Sequence, residues 1–162
     1  MTNSPKITPC LWFDGNADEA ARFYGTVLPD VTIDNIVKAP SDNPGGGKEG
    51  QVLIVEFTIA GQKFTGLNGG PFFKFNEAVS FQIDVADQAE YDRLTEALSA
   101  VPEAEQCGWV KDKFGLSWQL VPRELTGMIS DGNPAKARAA SLAMMEMKRL
   151  DIAAIRRAFD AA

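Results

Sequence analysis

Two cycles of strand, helix and further strands follow one another along this chain. In the first cycle a predicted strand at 7–13 leads into a helix that ends at Pro29, because proline cannot continue a helix. In the second cycle a predicted strand at 78–85 leads into a helix that begins at Asp87. The sequence Ala-Asp-Glu-Ala begins the first helix and Ala-Asp-Gln-Ala begins the second. This repeat predicts two related modules within an α+β fold.

The segment 108–122 predicts a strand, a short polar turn and a second strand. Side chains alternate across a strand, so Leu116, Trp118 and Leu120 share an apolar face that requires a core. Polar side chains occupy the other face of this strand and of the strand at 78–85: Ser80, Gln82, Asp84, Ser117 and Gln119. These residues are expected to line a pocket, or else to bind one another and water on a half-exposed sheet.

The composition argues against several classes of function. The chain has 162 residues, of which 45% are hydrophobic, enough for the core of a single domain. Its net charge is −6, whereas nucleic-acid binding generally requires a basic face. There is no apolar run of membrane-spanning length, and residues 1–6 lack the features of a signal peptide, so a cytoplasmic protein is predicted. Because the chain has no histidine, a Ser-His-Asp triad, a Cys-His dyad and an imidazole metal ligand are all excluded.

The stretch 40–50 is rich in proline and glycine and predicts a mobile loop. Its three consecutive glycines lie between two predicted strands, whereas a dinucleotide-binding turn opens a helix directly after a strand. We therefore interpret the glycines as a connector, and no cofactor is predicted. Cys10 and Cys107 fit neither a disulfide framework nor a metal motif.

Several motifs together resemble a known family. They lie at 7–15 (ITPCLWFDG), 20–24, 56–64, 67–71, 76–81, 108–109 and 112–119 (DKFGLSWQ). They are similar to the PhnB-like branch of the vicinal oxygen chelate superfamily, which includes glyoxalase I, bleomycin and fosfomycin resistance proteins and extradiol dioxygenases. Proteins of this branch are often labelled 3-demethylubiquinone-9 3-methyltransferase domain proteins.

The resemblance implies a fold and a division of the chain. A glyoxalase-like domain at 1–122 would contain tandem βαβββ modules, at about 5–71 and 72–122, that form cupped sheets. A C-terminal helical extension at 123–162 would belong to the same domain.

The resemblance also implies four metal-ligand positions. In this chain they fall on Pro9, Gly66, Ser80 and Gln119. Proline and glycine offer no side-chain donor, and one hydroxyl with one amide does not make a divalent-metal site. We therefore predict that the metal site has been lost and that Gln119 forms hydrogen bonds on the floor of a pocket.

The predicted site combines polar and aromatic side chains. The candidate ligand-binding residues are Ser80, Gln82, Trp109, Ser117, Gln119 and Phe64. Trp109 could form a pocket wall, while Phe64 belongs to an aromatic cluster that forms either a pocket mouth or core. Glu56 and Asp84 are the candidate proton carriers, provided that they approach each other; otherwise they are solvated or ion-paired.

Two functions stay open from the sequence. The first is non-catalytic binding of a small organic molecule without a metal, and the second is a metal-independent enzyme acting on a small oxygenated or aromatic substrate. A glyoxalase- or dioxygenase-type metalloenzyme and a true methyltransferase rank below both. The apolar tail, which includes Leu142 and Met145, predicts a homodimer or closure over its own sheet.

Overall fold

The structure, a computed structural model, describes residues 6–162, so the interpretation of residues 1–5 lies outside its described part. The chain divides into two compact units with the boundary between Phe75 and Asn76. In the described residues, each unit contains one small sheet, and there are five α-helices in all. The α+β prediction is confirmed.

The first unit is a four-stranded sheet with one helix. Its elements are β1 (Cys10–Phe13), α1 (Ala17–Val27), β2 (Val31–Lys38), β3 (Val52–Ile59) and β4 (Gln62–Asn68). The strand order is β1-β4-β3-β2, in which β1 pairs with β4 in parallel and the other pairs are antiparallel. The first module therefore has the predicted βαβββ order.

One face of this sheet forms the core of the first unit. Tyr24 of α1, Phe57 of β3 and Phe64 of β4 are buried, and the rings of Phe57 and Phe64 stack with centroids 5.4 Å apart. Burial of one such ring stabilises the fold by about 3 kcal/mol, judged from the usual cost of truncating it to alanine. The other face of β3, where Glu56 lies, is more exposed.

The second unit contains a three-stranded sheet followed by helices. Its elements are β5 (Ser80–Val85), α2 (Gln88–Leu98), β6 (Trp109–Lys111), β7 (Ser117–Pro122), α3 (Arg123–Ile129), α4 (Pro134–Met145) and α5 (Ile152–Asp160). The strand order is β5-β7-β6. Within the described residues of this unit, a short 3₁₀ turn at Pro102–Ala104 and an isolated bridge between Gln106 and Trp109 stand where a fourth strand would complete the module. Pro102 cannot donate a ladder hydrogen bond, which favours a turn there.

The turn between β6 and β7 is fixed by one buried carboxylate. Asp112 accepts hydrogen bonds at Oδ1 from the amides of Phe114 and Leu116, and at Oδ2 from Nε1 of Trp118. The Trp118 ring is buried on the apolar face of β7, as the alternation predicts. The polar turn of the 108–122 segment is therefore held by the strand that follows it.

The helical extension is attached to α2 and to Glu105 by specific contacts. The buried hydroxyl of Tyr91 accepts a hydrogen bond from the Leu150 amide at 2.9 Å. Arg149 forms an ion pair with the buried carboxylate of Glu105, and the Gln88 side chain bonds both Leu150 and Ile152. These contacts make the extension part of the second unit's packing.

None of the helices in the described range is long and apolar enough to cross a membrane.

Candidate functional site

Strand register in the second unit brings most of the predicted site residues onto one face. Ser80 is paired with Ser117 and Gln82 with Gln119 between the parallel strands β5 and β7. Paired residues project to the same side of a sheet, so all four side chains share a face. Across β6, Trp109 is paired with Gln119, and Lys111 with Ser117. We call this surface the polar face; it comprises Ser80, Gln82, Asp84, Trp109, Lys111, Ser117 and Gln119.

Two hydrogen bonds link the amide side chains on the polar face to their neighbours. Nε2 of Gln119 donates to Oγ of Ser80 at 2.8 Å, and Nε2 of Gln82 donates to Oδ1 of Asp84 at 3.1 Å. In this arrangement the Gln119 carbonyl oxygen keeps its acceptor capacity, and the Ser80 hydroxyl keeps its proton. The face therefore offers both an acceptor and a donor to a bound molecule.

Ser117 has an unusual environment. Its side chain is 2% exposed, and its Oγ atom has no hydrogen-bond partner within the described part of the chain. Because buried polar groups in native proteins are nearly always paired, an isolated hydroxyl at this place requires an explanation. The sequence places a serine on the polar face but gives no sign of its burial.

Lys111 is a residue of this face that the sequence reasoning missed. Its ammonium group forms an ion pair with Glu77, just before β5, and that hydrogen bond lowers the pKa of the Glu77 carboxyl below its ordinary value. The alternation of side chains along β6 could have predicted this position, because Lys111 lies two residues after Trp109 and so projects to the same side of the strand. The polar face therefore has a cation beside Ser117.

Trp109 lines a shallow cavity of about 330 Å³ at the edge of this sheet. The other lining residues are Glu77, Ala104, Gln106 and Cys107. Its indole is half-buried, so part of the ring stays available for contact with another molecule. An aromatic surface next to polar hydrogen-bonding groups is a common arrangement in small-molecule sites.

The structure corrects the prediction that Phe64 is one of the ligand-binding residues. It is 5% exposed and lies on the α1 side of the first sheet, where it stacks on Phe57. Phe64 does not lie at a pocket mouth, because the pairing of β3 and β4 turns its ring towards the core. Its strand neighbours Thr65 and Leu67 project to the opposite face.

The two candidate proton carriers are both solvent-exposed and each has its own amide partner. Glu56, in the first unit, accepts a hydrogen bond from Nδ2 of Asn35 at 3.0 Å. Asp84, in the second unit, accepts the bond from Gln82 already described. Exposed carboxylates with amide partners are common on sheet surfaces and do not by themselves indicate acid–base catalysis.

The residues at the four implied metal-ligand positions do not fit a divalent cation. Gly66 lies on the α1 side of its sheet, where a Cβ atom would come 3.1 Å from that of Ala17. Pro9 has no side-chain donor, and Ser80 and Gln119 already bond each other. Residues 6–162 contain no group of three or more Cys, Asp or Glu side chains placed to hold a metal ion.

The sequence matches a known family over most of its length. The model of the family described as 3-demethylubiquinone-9 3-methyltransferase matches residues 5–121. A solved PhnB protein from Bacillus cereus is 32% identical, and the match covers 73% of this chain and 99% of that one with a TM-score of 0.60. A solved protein from Pseudomonas aeruginosa is 21% identical over 74% of this chain and 98% of its own, with a TM-score of 0.55. No curated protein matches the sequence.

The length of the family match and the identity to the Bacillus protein settle the family, while the Pseudomonas protein supports the fold alone. The family predicted from the motifs is confirmed. The chain belongs to the PhnB-like family described as 3-demethylubiquinone-9 3-methyltransferase.

Proposed function

We propose that this protein binds a small organic molecule on the polar face of its second sheet, without a metal ion. The observation that carries the proposal is the buried hydroxyl of Ser117, which has no hydrogen-bond partner among residues 6–162. A buried polar group without a hydrogen bond costs about 1–3 kcal/mol. A ligand that displaces the side chains covering Ser117 and supplies the missing partner recovers this free energy on binding.

The neighbours of Ser117 define the class of ligand. Gln119 offers a carbonyl acceptor, Ser80 offers a hydroxyl donor, and Trp109 presents an aromatic surface beside them. A molecule that matches these groups has a flat apolar part and an edge with hydroxyl or carbonyl oxygens. This describes a small oxygenated aromatic or cyclic compound.

The residues at the four implied metal-ligand positions support ligand binding that does not need a metal ion. Ser80 and Gln119 bond each other, and Gly66 and Pro9 contribute no side-chain ligand. Neutral hydroxyl and amide groups without a carboxylate are poor ligands for a divalent cation. We therefore assign the polar face to direct hydrogen bonding of the ligand.

The family description contains the word methyltransferase, but we do not propose methyl transfer for this chain. The glycine-rich stretch at 45–47 lies between β2 and β3 and does not open a helix. A methyl-donor site of the nucleotide-binding type requires such a turn between a strand and a helix. A metal-independent enzyme with Glu56 or Asp84 as proton carrier stays the alternative, although neither carboxylate has a placement that favours it.

We also propose a homodimer. The support is the exposure of three large apolar side chains, Ile129, Leu142 and Met145, on the helices that follow β7. Large apolar side chains that are exposed on two consecutive helices favour burial against a partner surface. The cytoplasmic location expected from the sequence stays a prediction.

Native mass spectrometry of gently purified full-length protein tests the binding proposal. We expect a small-molecule adduct on the wild-type protein that is lost or reduced in Ser117→Ala and in Gln119→Leu. The control is Thr126→Ala, an exposed substitution on α3 of the same unit, which should retain the adduct.

An adduct that is equal in all four proteins, or is absent from the wild type, would overturn the proposal. One stoichiometric divalent metal ion per chain would overturn the proposal that binding is independent of a metal. Chemical turnover of the released ligand on incubation would favour the enzymatic alternative.

A further inference from the structure

The first unit contains a cleft of about 480 Å³ that the proposed function does not use. It lies between the start of α1, the end of β2, the glycine-rich loop and the end of β4. Its volume falls within the range of about 300–1,000 Å³ that is typical of small-molecule sites. We refer to it as the α1 cleft; the lining residues that matter here are Asp14, Asp18, Lys38, Lys48 and Asn68.

The walls of the α1 cleft are fixed by buried contacts. The Asn68 side chain accepts a hydrogen bond from the Ala17 amide and donates one to the Val52 carbonyl, each at 2.9 Å. The loop also contacts the end of β4 directly, since a Cβ atom on Gly70 would lie only 2.2 Å from the Gly45 carbonyl oxygen. The cleft is therefore preformed by contacts that join three separate parts of the first unit.

The loop that forms one wall is not an anion-binding nest. The Asn43 carboxamide oxygen accepts hydrogen bonds from the amides of Gly45 and Gly47, and the Asn43 carbonyl accepts one from Gly46. All three glycine amides are therefore engaged within the loop. A phosphate would find no free backbone donors there, in contrast to a phosphate-binding loop.

Charged side chains of the α1 cleft are available to bind a ligand. The side chains of Asp14, Asp18 and Lys38 have no hydrogen bond or ion pair within residues 6–162, whereas the Lys48 ammonium pairs with Asp42 at 2.8 Å. Charges of both signs that line one concavity and do not neutralise each other create a complementary field for a ligand with two opposite charges. A singly charged ligand would satisfy only half of this arrangement.

We propose that the α1 cleft binds a small zwitterion of the amino acid class. The carboxylates of Asp14 and Asp18 hold its ammonium group, and the ammonium of Lys38 holds its carboxylate. This site lies in a different unit from the polar face and recognises a different chemistry, so it goes beyond the proposed function.

Titration of the full-length protein, labelled with ¹⁵N, tests this proposal. The probes are ω-amino carboxylates of three to six carbons, with n-butylamine and butyrate as singly charged controls. We expect saturable amide shifts at residues 14–18 and 38–51 with the best-fitting amino carboxylate, and weaker binding of both control compounds. Asp18→Asn and Lys38→Gln should each weaken binding by about threefold to fivefold, as expected for loss of one partly exposed ion pair.

Matched substitutions control for net charge. Asp30→Asn and Lys74→Gln change exposed charges of the same unit outside the cleft lining and should leave the affinity unchanged. Dispersed amide spectra of all variants would show that they are folded. The proposal is overturned if no amino carboxylate gives saturable shifts, if the shifts fall only beyond Phe75, or if n-butylamine or butyrate binds as tightly as the zwitterions. Equal weakening by the cleft and control variants would also overturn it.

Discussion

The side-chain amide of Gln119 donates a hydrogen bond to the hydroxyl of Ser80, 2.8 Å away, across the parallel strands β5 and β7. These are two of the positions at which the family resemblance implies metal ligands. Here they are neutral groups that bond each other, and the buried hydroxyl of Ser117 lies on the same face. The polar face therefore presents neutral hydrogen-bonding groups, which supports the proposed binding of an organic ligand.

Ser117→Ala should stabilise the ligand-free protein. The substitution removes a buried hydroxyl that has no partner in the described part of the chain, so the free energy of unfolding should rise by about 1 kcal/mol. Urea denaturation of ligand-free protein measures this change. Ser99→Ala is the matched control, because it removes a hydroxyl that donates to the Glu105 carboxylate and should lower the free energy of unfolding instead. A loss of stability in Ser117→Ala would show that its hydroxyl has a partner after all.

Arg149→Met should destabilise the second unit in a pH-dependent way. The guanidinium of Arg149 holds the pKa of the buried Glu105 carboxyl below its ordinary value of 4.5, with a smaller contribution from Ser99. A lowered pKa in the folded state means that the stabilisation is present above pH 4.5 and is lost as the pH falls through the folded-state value. We expect a loss of stability at pH 7 that is modest, because the Arg149 side chain is half-exposed and solvent screens its charge.

Urea midpoints of the wild type and the Arg149→Met variant, measured at pH 7 and at pH 3, check this prediction. The difference in stability between the two proteins should be smaller at pH 3, which lies below the ordinary pKa of 4.5 of the Glu105 carboxyl. A difference that is independent of pH would mean that Arg149 acts through packing of its alkyl chain and not through its charge.

Asp112→Ala should destabilise the protein more than Asp112→Asn. The alanine variant leaves the amides of Phe114 and Leu116 and the indole of Trp118 without their common acceptor, at a cost of about 3 kcal/mol. Asparagine retains one acceptor oxygen for the two backbone amides and loses only the bond to Trp118. Denaturation followed by tryptophan fluorescence measures both variants, and equal losses would contradict the assigned roles of the two carboxylate oxygens.

Leu142→Glu and Met145→Glu should weaken the proposed homodimer. These side chains are 49% and 59% exposed, so a charged residue at either position should cost little free energy in the isolated chain. Burial of the same charge in an apolar dimer interface would cost much more. Light scattering coupled to gel filtration should give the wild type twice the 17.6 kDa mass of one chain and shift the variants towards the single-chain mass. Thr126→Glu, an exposed substitution on α3, is a control for added charge. A wild type that elutes with the mass of one chain would refute the dimer.

The sequence alone was sufficient to predict the order of helices and strands in the first module and to separate the apolar face of β7 from its polar face. Both depend on local patterns: a proline ends α1, Asp87 caps α2, and alternation separates Trp118 from Gln119. The family followed from short motifs of the same kind. The fourth strand of the second module was expected from the repeat, but local turn formation at Pro102 replaces it.

The tertiary structure decided which of these side chains act together. Strand register turned Phe64 into the core and placed Lys111 beside Ser117, whose buried hydroxyl has no partner from residue 6 onwards. The α1 cleft arises where residues from α1, the 40–50 loop and the end of β4 meet, although they are far apart in sequence. Periodicity in a sequence specifies the face of an element, whereas burial and pairing depend on which distant segment packs against that face, and only the folded chain determines that.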